Sequence, residues 1–315
     1  MGSSNNNSAR LVQAARMYYN QNLSQQQISE KLQLSRPVVS RLLSQARQEG
    51  IVRIEIVDPA DSYGRLAQAL KKSYGLQEVV VIPNEGISDA DLKLKLGKAA
   101  AEYLDGMITA GMILGVSWGS TMRTMAEQVK SRASRDLTVV QLVGGFTGGY
   151  YNTYASEITQ KIADSLQAKA FLLPLPEIVE TASVKKAILS DRNLSRAVEM
   201  GRKCDAAVFS LGSFSPESIL VKTQYFNAAD VKALQNIGAV GDICTHVIKS
   251  DGTVCSRELE SRTLGIELSD LSRKQKSIAV AGGQEKWAVI KAGLIGGYFN
   301  VFITDEHTAQ ELLSA

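Results

Sequence analysis

Long apolar runs, paired cysteines and histidine are scarce in this 315-residue chain, and each scarcity removes a class of function. No apolar run reaches the roughly 18 residues a membrane-spanning helix needs, so no membrane partner is expected. The three cysteines, Cys204, Cys244 and Cys255, are odd in number and show no Cys-x-x-Cys spacing. Without an export signal they read as reduced thiols of a cytoplasmic protein. His246 and His307 are the only histidines, too few and too far apart for a zinc centre, so neither a metal nor a cofactor is expected. The polar start, residues 1–8, lacks the apolar core of a secretion signal and reads as a disordered tail.

What is present divides unevenly. The length exceeds the roughly 100–200 residues of one domain, so two units are expected. Residues 1–57 carry seven Lys/Arg against three Glu, a net +4, which leaves −1 for the remainder of a chain of net charge +3. A small basic head on a near-neutral body puts any polyanionic partner at the head.

In the head, residues 9–57, Leu11, Ala14, Ala15, Tyr18 and Tyr19 recur at helical spacing. Ser24-Gln25-Gln26-Gln27 has the form of a capping box, opening a short helix whose inner face is Ile28 and Leu32. Ser35 is placed to cap a third helix with Pro37 in its first turn, where a missing amide costs little. That helix buries Val39, Leu42 and Leu43, and Gly50 is placed to end it. The pattern is that of two helices held by a tight turn, a helix-turn-helix, with Gln33 at the turn position that glycine often fills. The face opposite the apolar stripe carries Arg36, Pro37, Ser40, Arg41, Ser44 and Arg47. Guanidiniums and short hydroxyls at this spacing suit a major groove, arginine being able to bond a guanine edge through two hydrogen bonds. Gln25 and Gln26, at the start of the second helix, are placed to clamp backbone phosphate, together with Ser35. The alternating run from Ile51 to Ile56 reads as a strand, making the head winged. A solvated charged helix in a protein-protein adaptor is the alternative.

Residues 58–65 read as a linker, and 66–315 as one α/β domain. Strand-like apolar runs occur at 79–82, 112–116, 137–142, 206–211, 277–281 and 301–304, with helical patterns such as 91–107, 120–130 and 155–167 between them. Continuous apolar strands alternating with helices predict a largely parallel sheet covered on both faces. In such sheets ligands sit beyond the carboxyl ends of the strands. Ser117, Gly119, Ser120 and Thr121 lie in a strand-to-helix turn suited to a phosphate. Gly144 and Gly145 follow the next strand and would let a ligand approach the backbone. Asp242 offers a carboxylate to sugar hydroxyls, and Lys286, after the Gly282-Gly283 turn, offers a cation to phosphate.

Taken together, the blocks Ala15 to Tyr19, Ser24 to Ile28, Leu34 to Leu43, Gly115 to Gly119, Ala239 to Cys244 and Ala281 to Gly283 resemble the SorC family of bacterial sugar-responsive regulators, near its deoxyribonucleoside-regulator branch. The resemblance covers about residues 9–313. It implies an effector domain similar to sugar-phosphate isomerases and deaminases, a phosphorylated sugar as effector, a homotetramer built as a dimer of dimers, and binding to double-stranded operator DNA. Most such regulators are repressors of carbohydrate or nucleoside catabolic operons. The block from Gln141 to Tyr151 contains no lysine, so an imine with an aldehyde sugar cannot form there. Two other readings stand beside this one, a sugar-phosphate isomerase- or deaminase-like enzyme and a ligand-free DNA-binding oligomer. A catalyst would need an acid and a base in the pocket; Asp242 could be the base, but neither histidine falls in a strand-end loop. No catalytic residue is expected.

Overall fold

Helix capping organises the first unit. In the computed structural model, which describes residues 10–52, 62–84, 86–145, 147–148, 151–214, 218–222 and 225–314, the chain separates into a unit ending at Asp58 and one beginning at Pro59. The first contains α1 (10–15), running on into a π-helical turn, Arg16–Asn20, then α2 (Gln25–Leu32) and α3 (Arg36–Gln48). Ser24 and Gln27 close the capping box at α2: the Gln27 amide donates to Ser24 Oγ at 3.3 Å and the Ser24 amide to Gln27 Oε1 at 2.9 Å. Gln33 ends α2 in the left-handed region, φ 54° and ψ 41°, so a side-chain-bearing residue does take the turn position. Ser35 holds the N-cap position of α3, but its hydroxyl makes no capping bond. Pro37 has no amide to offer it, and the Val38 amide donates to the Ser35 carbonyl instead, at 2.9 Å. Leu11, Ala14, Ile28, Val39, Leu43 and Ala46 form the buried centre of this unit. Gly50, at φ 72°, follows α3. Of the expected wing strand, Ile51 and Val52 lie in a bend and the rest falls outside the described residues.

The second unit starts with α4 (Ser62–Tyr74), so the last four residues of the expected linker are already helical. Then follow β1 (Glu78–Ile82), α5 (Asp89–Met107), β2 (Ile113–Val116), α6 (Ser120–Gln128) and β3 (Thr138–Gln141). A two-stranded ribbon, β4 (Thr147–Gly148) and β5 (Tyr151–Asn152), leads to α7 (Ala155–Ser165), β6 (Lys169–Phe171), α8 (Ala182–Ser190) and α9 (Arg192–Arg202). Next come β7 (Ala206–Phe209), β8 (Leu211–Ser213), α10 (Ile219–Lys222), α11 (Ala228–Asn236), β9 (Ala239–Ile243) and β10 (His246–Lys249). The chain ends through α12 (Arg257–Glu260), α13 (Leu268–Leu271), β11 (Lys276–Val280), α14 (Trp287–Ile295), β12 (Val301–Asp305) and α15 (Glu306–Ser314).

Seven strands form one sheet in the order β1-β12-β11-β7-β2-β3-β6, every neighbouring pair parallel. Its strands read as unbroken apolar runs because both faces are covered. One face packs Leu70, Phe209 and Phe302 with α14 and α15, the other Leu104, Met122 and Ile162 with α5, α6 and α7. An antiparallel sheet, β10-β9-β8, sits with α10 and α11 around Phe214, Phe226 and Val247. From β2 the chain builds outward through β3 and β6, then returns to the other flank of β2 as β7 and builds the opposite way. The direction of winding therefore reverses between β2 and β7, which is where open α/β sheets leave a crevice.

Helices α5 and α6 cross closely at Gly97. A methyl there would lie 2.3 Å from Thr124 Oγ1 and 2.7 Å from the Met125 amide nitrogen, and backbone cannot step aside. Gly97→Ala is expected to cost about 1–3 kcal/mol of stability in urea or thermal unfolding. Gly106→Ala in the same helix meets nothing within 4 Å and is expected to be neutral or stabilising by up to about 1 kcal/mol.

Candidate functional site

On the head, Ser35, Arg36, Pro37, Ser40, Arg41 and Arg47 are exposed, while Ser44 is half-buried. Val39, Leu42, Leu43 and Ala46 point the other way into the core. Among the described residues Arg36, Arg41 and Arg47 have no carboxylate partner, and all three are exposed. Gln25 is half-buried and Gln26 exposed, with the Gln26 amide donating to Glu30 Oε1 at 3.1 Å. Val38 joins this face, 37% exposed. The sequence reading assigned Val38 to neither face of the helix.

In the body, the crevice between β2 and β7 gathers the residues of the strand-end turns. Ser117 leaves β2 buried, its amide donating to the Val208 carbonyl of β7 at 3.0 Å. Gly119, at φ 129°, stands at the N-cap of α6 with no side chain capping the helix. Among the described residues, the amides of the first turn, at Ser120 and buried Thr121, have no N-cap side chain to accept from them at the positive end of a helix dipole. Ser210, the residue after β7, touches this turn: a methyl on Gly119 would meet its Cβ at 4.0 Å. Lys286 Nζ donates to Ser210 Oγ at 3.2 Å, which brings the ammonium to the same turn. Burial, and then the neighbouring Lys93 of α5, bring the Lys286 ammonium down to about 8, with Asp242, Asp89 and Glu285 acting in the other direction.

Asp242, on β9, lies across from Lys286. Burial pushes its carboxyl up to about 6, against the Thr245 amide that donates to it at 3.1 Å and the charges of Lys286 and His246. It fits only because β8 presents a glycine: a methyl on Gly212 would sit 2.1 Å from Asp242 Oδ1. His246 beside it is buried and held at both ring nitrogens, Nδ1 2.9 Å from Glu260 Oε2 and Nε2 2.8 Å from the Ile266 carbonyl. The turn that carries Lys286 is also fixed from below. Buried Asp305, at the end of β12, accepts from the Gly283 amide at 2.9 Å and from the Thr308 hydroxyl at 2.6 Å.

Ser117, Gly119, Ser120, Thr121, Asp242 and Lys286 are thus brought to one crevice. Gly144 and Gly145 serve the chain instead. A methyl on Gly144 would lie 2.2 Å from the Leu175 carbonyl oxygen, and one on Gly145 2.8 Å from Ala155 Cβ. The space expected for a ligand at these two glycines is occupied by the 173–176 segment and by α7. Sequence reasoning passed over Ser210, Lys93 and Trp118. Ser210 was read as part of the strand run 206–211, whereas β7 ends at Phe209 and leaves Ser210 in the turn. Lys93 gave no signal, because it reads as one of several solvated lysines on α5.

A family model described as "Putative sugar-binding domain" matches residues 59–314. The deoxyribonucleoside regulator of Bacillus subtilis (strain 168) is 40% identical over 303 residues, 96% of each chain. The sorbitol operon regulator of Klebsiella pneumoniae is 29% identical over 305 residues, 96% of this chain and 97% of that one. The crystal structure of that full-length regulator, SorC, aligns with a TM-score of 0.73 at 27% identity, covering 97% of this chain and 98% of the other. These relatives are named as transcriptional regulators, not as enzymes. The chain belongs to the family of SorC-type transcriptional regulators that carry this sugar-binding domain.

Proposed function

We propose that the head is a helix-turn-helix unit reading operator DNA, and that the body binds a phosphorylated sugar whose occupancy modulates that binding. The observation that carries the reading is the crevice at the winding reversal. An uncapped helix N-terminus at Ser120 faces an anion, a lysine bonded into the same turn neutralises it, and buried Asp242 accepts the hydroxyls of an attached sugar. This arrangement supports the likeness to sugar-phosphate isomerase and deaminase folds implied by the sequence. The names of the relatives support a carbohydrate or nucleoside catabolic operon as the target. In this reading the protein is a repressor, acts as a dimer of dimers, and releases DNA because effector favours an arrangement of heads that fits the operator less well. Enzymatic turnover is the weaker reading, because His246, the histidine next to the crevice, has both ring nitrogens committed to Glu260 and Ile266.

Two experiments test the halves separately. Arg41→Ala is expected to weaken binding to a fragment of the gene's own upstream region by about 1–3 kcal/mol in fluorescence anisotropy, with sugar-phosphate binding by calorimetry unchanged. Unaltered DNA affinity would remove α3 from the interface.

Lys286→Met is expected to keep DNA affinity and lose most of the response to sugar phosphates. In the wild type the ammonium is protonated below about 8 and loses its proton above it. Affinity for a phosphate ester should therefore fall as pH rises from 8 to 10, and Lys286→Met should abolish that slope. A slope that persists in the variant would move the phosphate elsewhere.

A further inference from the structure

The interior carboxylates of the body fall into two kinds. Asp305 accepts from the Gly283 amide, from the Thr308 amide and hydroxyl, and from Asn84. Glu260 is bonded to His246. Both are structural, each charge matched by donors. Glu177 is different. It is 0% exposed, and among the described residues neither of its carboxyl oxygens has a hydrogen-bond partner.

Its backbone is pinned: the amide donates to the Tyr225 phenol oxygen at 3.3 Å and the carbonyl accepts from the Leu264 amide at 2.7 Å. The side chain therefore holds its place without any bond of its own. The next residue, Ile178, packs in one cluster with Ala239 of β9 and Val247 of β10, the strand pair that carries Asp242. Burial first, and then the like-charged Asp242, push the Glu177 carboxyl above the usual range. A second unmatched group points the same way. Trp118 belongs to the anion-binding turn and packs against the cluster that contains Ile178, and among the described residues its buried indole N–H has no acceptor. A buried donor or acceptor left without a partner is costly unless a ligand completes it.

We infer that Glu177 is the group that recognises the polyol end of the effector, so that the ligand must carry free hydroxyls in addition to its anionic group. This rests on the reading that the body binds a sugar phosphate. It adds a specificity residue that lies on an irregular segment outside the strand-end turns. In its acid form the carboxyl offers one donor and one acceptor, the complement of a hydroxyl that does both. A phosphate without a sugar would make no use of it.

The test compares wild type, Glu177→Gln and Glu177→Met by thermal unfolding and calorimetry. The probes are ribose 5-phosphate, fructose 6-phosphate, inorganic phosphate and the free polyol ribitol. Glu177→Met is expected to raise the Tm of the ligand-free protein, because it replaces an unmatched buried carboxyl with apolar atoms of similar volume. The same variant should weaken the tighter of the two sugar phosphates about 10–100-fold, while inorganic phosphate stays unchanged. Glu177→Gln, which keeps a donor and an acceptor, should recover most of the affinity. The inference is overturned if Glu177→Met lowers the ligand-free Tm and leaves sugar-phosphate affinity intact, or if sugar phosphate and inorganic phosphate weaken together. Wild type that binds ribitol as well as the sugar phosphates overturns the phosphate reading alone, and the Glu177 variants are then read on ribitol. Wild type that binds none of the probes overturns both.

Discussion

A parallel strand must be carried back over one face of its sheet before the next can start, and in this body the direction of that return reverses once, between β2 and β7. Neighbouring strands elsewhere have their outgoing loops drawn the same way, which closes the space above them. At the reversal the loops leave the sheet in different directions, with Ser117 to Thr121 following β2 and Ser210 following β7, and the two turns meet there. The placement of a helix N-terminus there follows from the same geometry, since α6 must begin where β2 ends. The site is a property of the winding first and of side chains second.

Side chains are then admitted by the glycines around them. Gly212 leaves room for Asp242, Gly282 for Asp305, and Gly97 lets α5 lie against α6. A methyl on any of the three would come within 2.4 Å of its neighbour. Several glycines that look like openings for a ligand are contacts between chain segments, as at Gly144 and Gly145. The two uses cannot be told apart from sequence, because both need only the absence of a Cβ.

The large sheet was legible because its strands are buried on both faces and read as unbroken apolar runs. The head was legible because capping residues, a turn and a charged face fall at fixed offsets. What escaped had no periodic signature. Strands β9 and β10 contain Gly241, Asp242 and His246 and pair antiparallel over four or five residues, too short and too polar to stand out. The absent Ser35 capping bond depends on which acceptor the Val38 amide finds, and it finds the Ser35 carbonyl. Glu177 sits in an irregular stretch, and its burial is decided by Tyr225 and Leu264, 48 and 87 positions away. Lys286 was identified as a cation, but its lowered proton affinity comes from burial first and then from Lys93, nearly two hundred residues earlier in the chain.

The crevice is assembled from Ser117, Glu177, Ser210, Asp242 and Lys286, which come from five separate stretches of chain. No local fragment contains it, and a body that has opened between β2 and β7 or lost the β8–β10 sheet does not have it. Any molecule held there binds the closed body alone and lowers the population of open forms by mass action. For a regulator this ties lifetime to occupancy: the protein exposed to proteases is drawn from molecules without ligand. Under the proposed function, the amount of regulator would then carry a slow record of how much effector the cell has recently held, alongside the fast response at the operator.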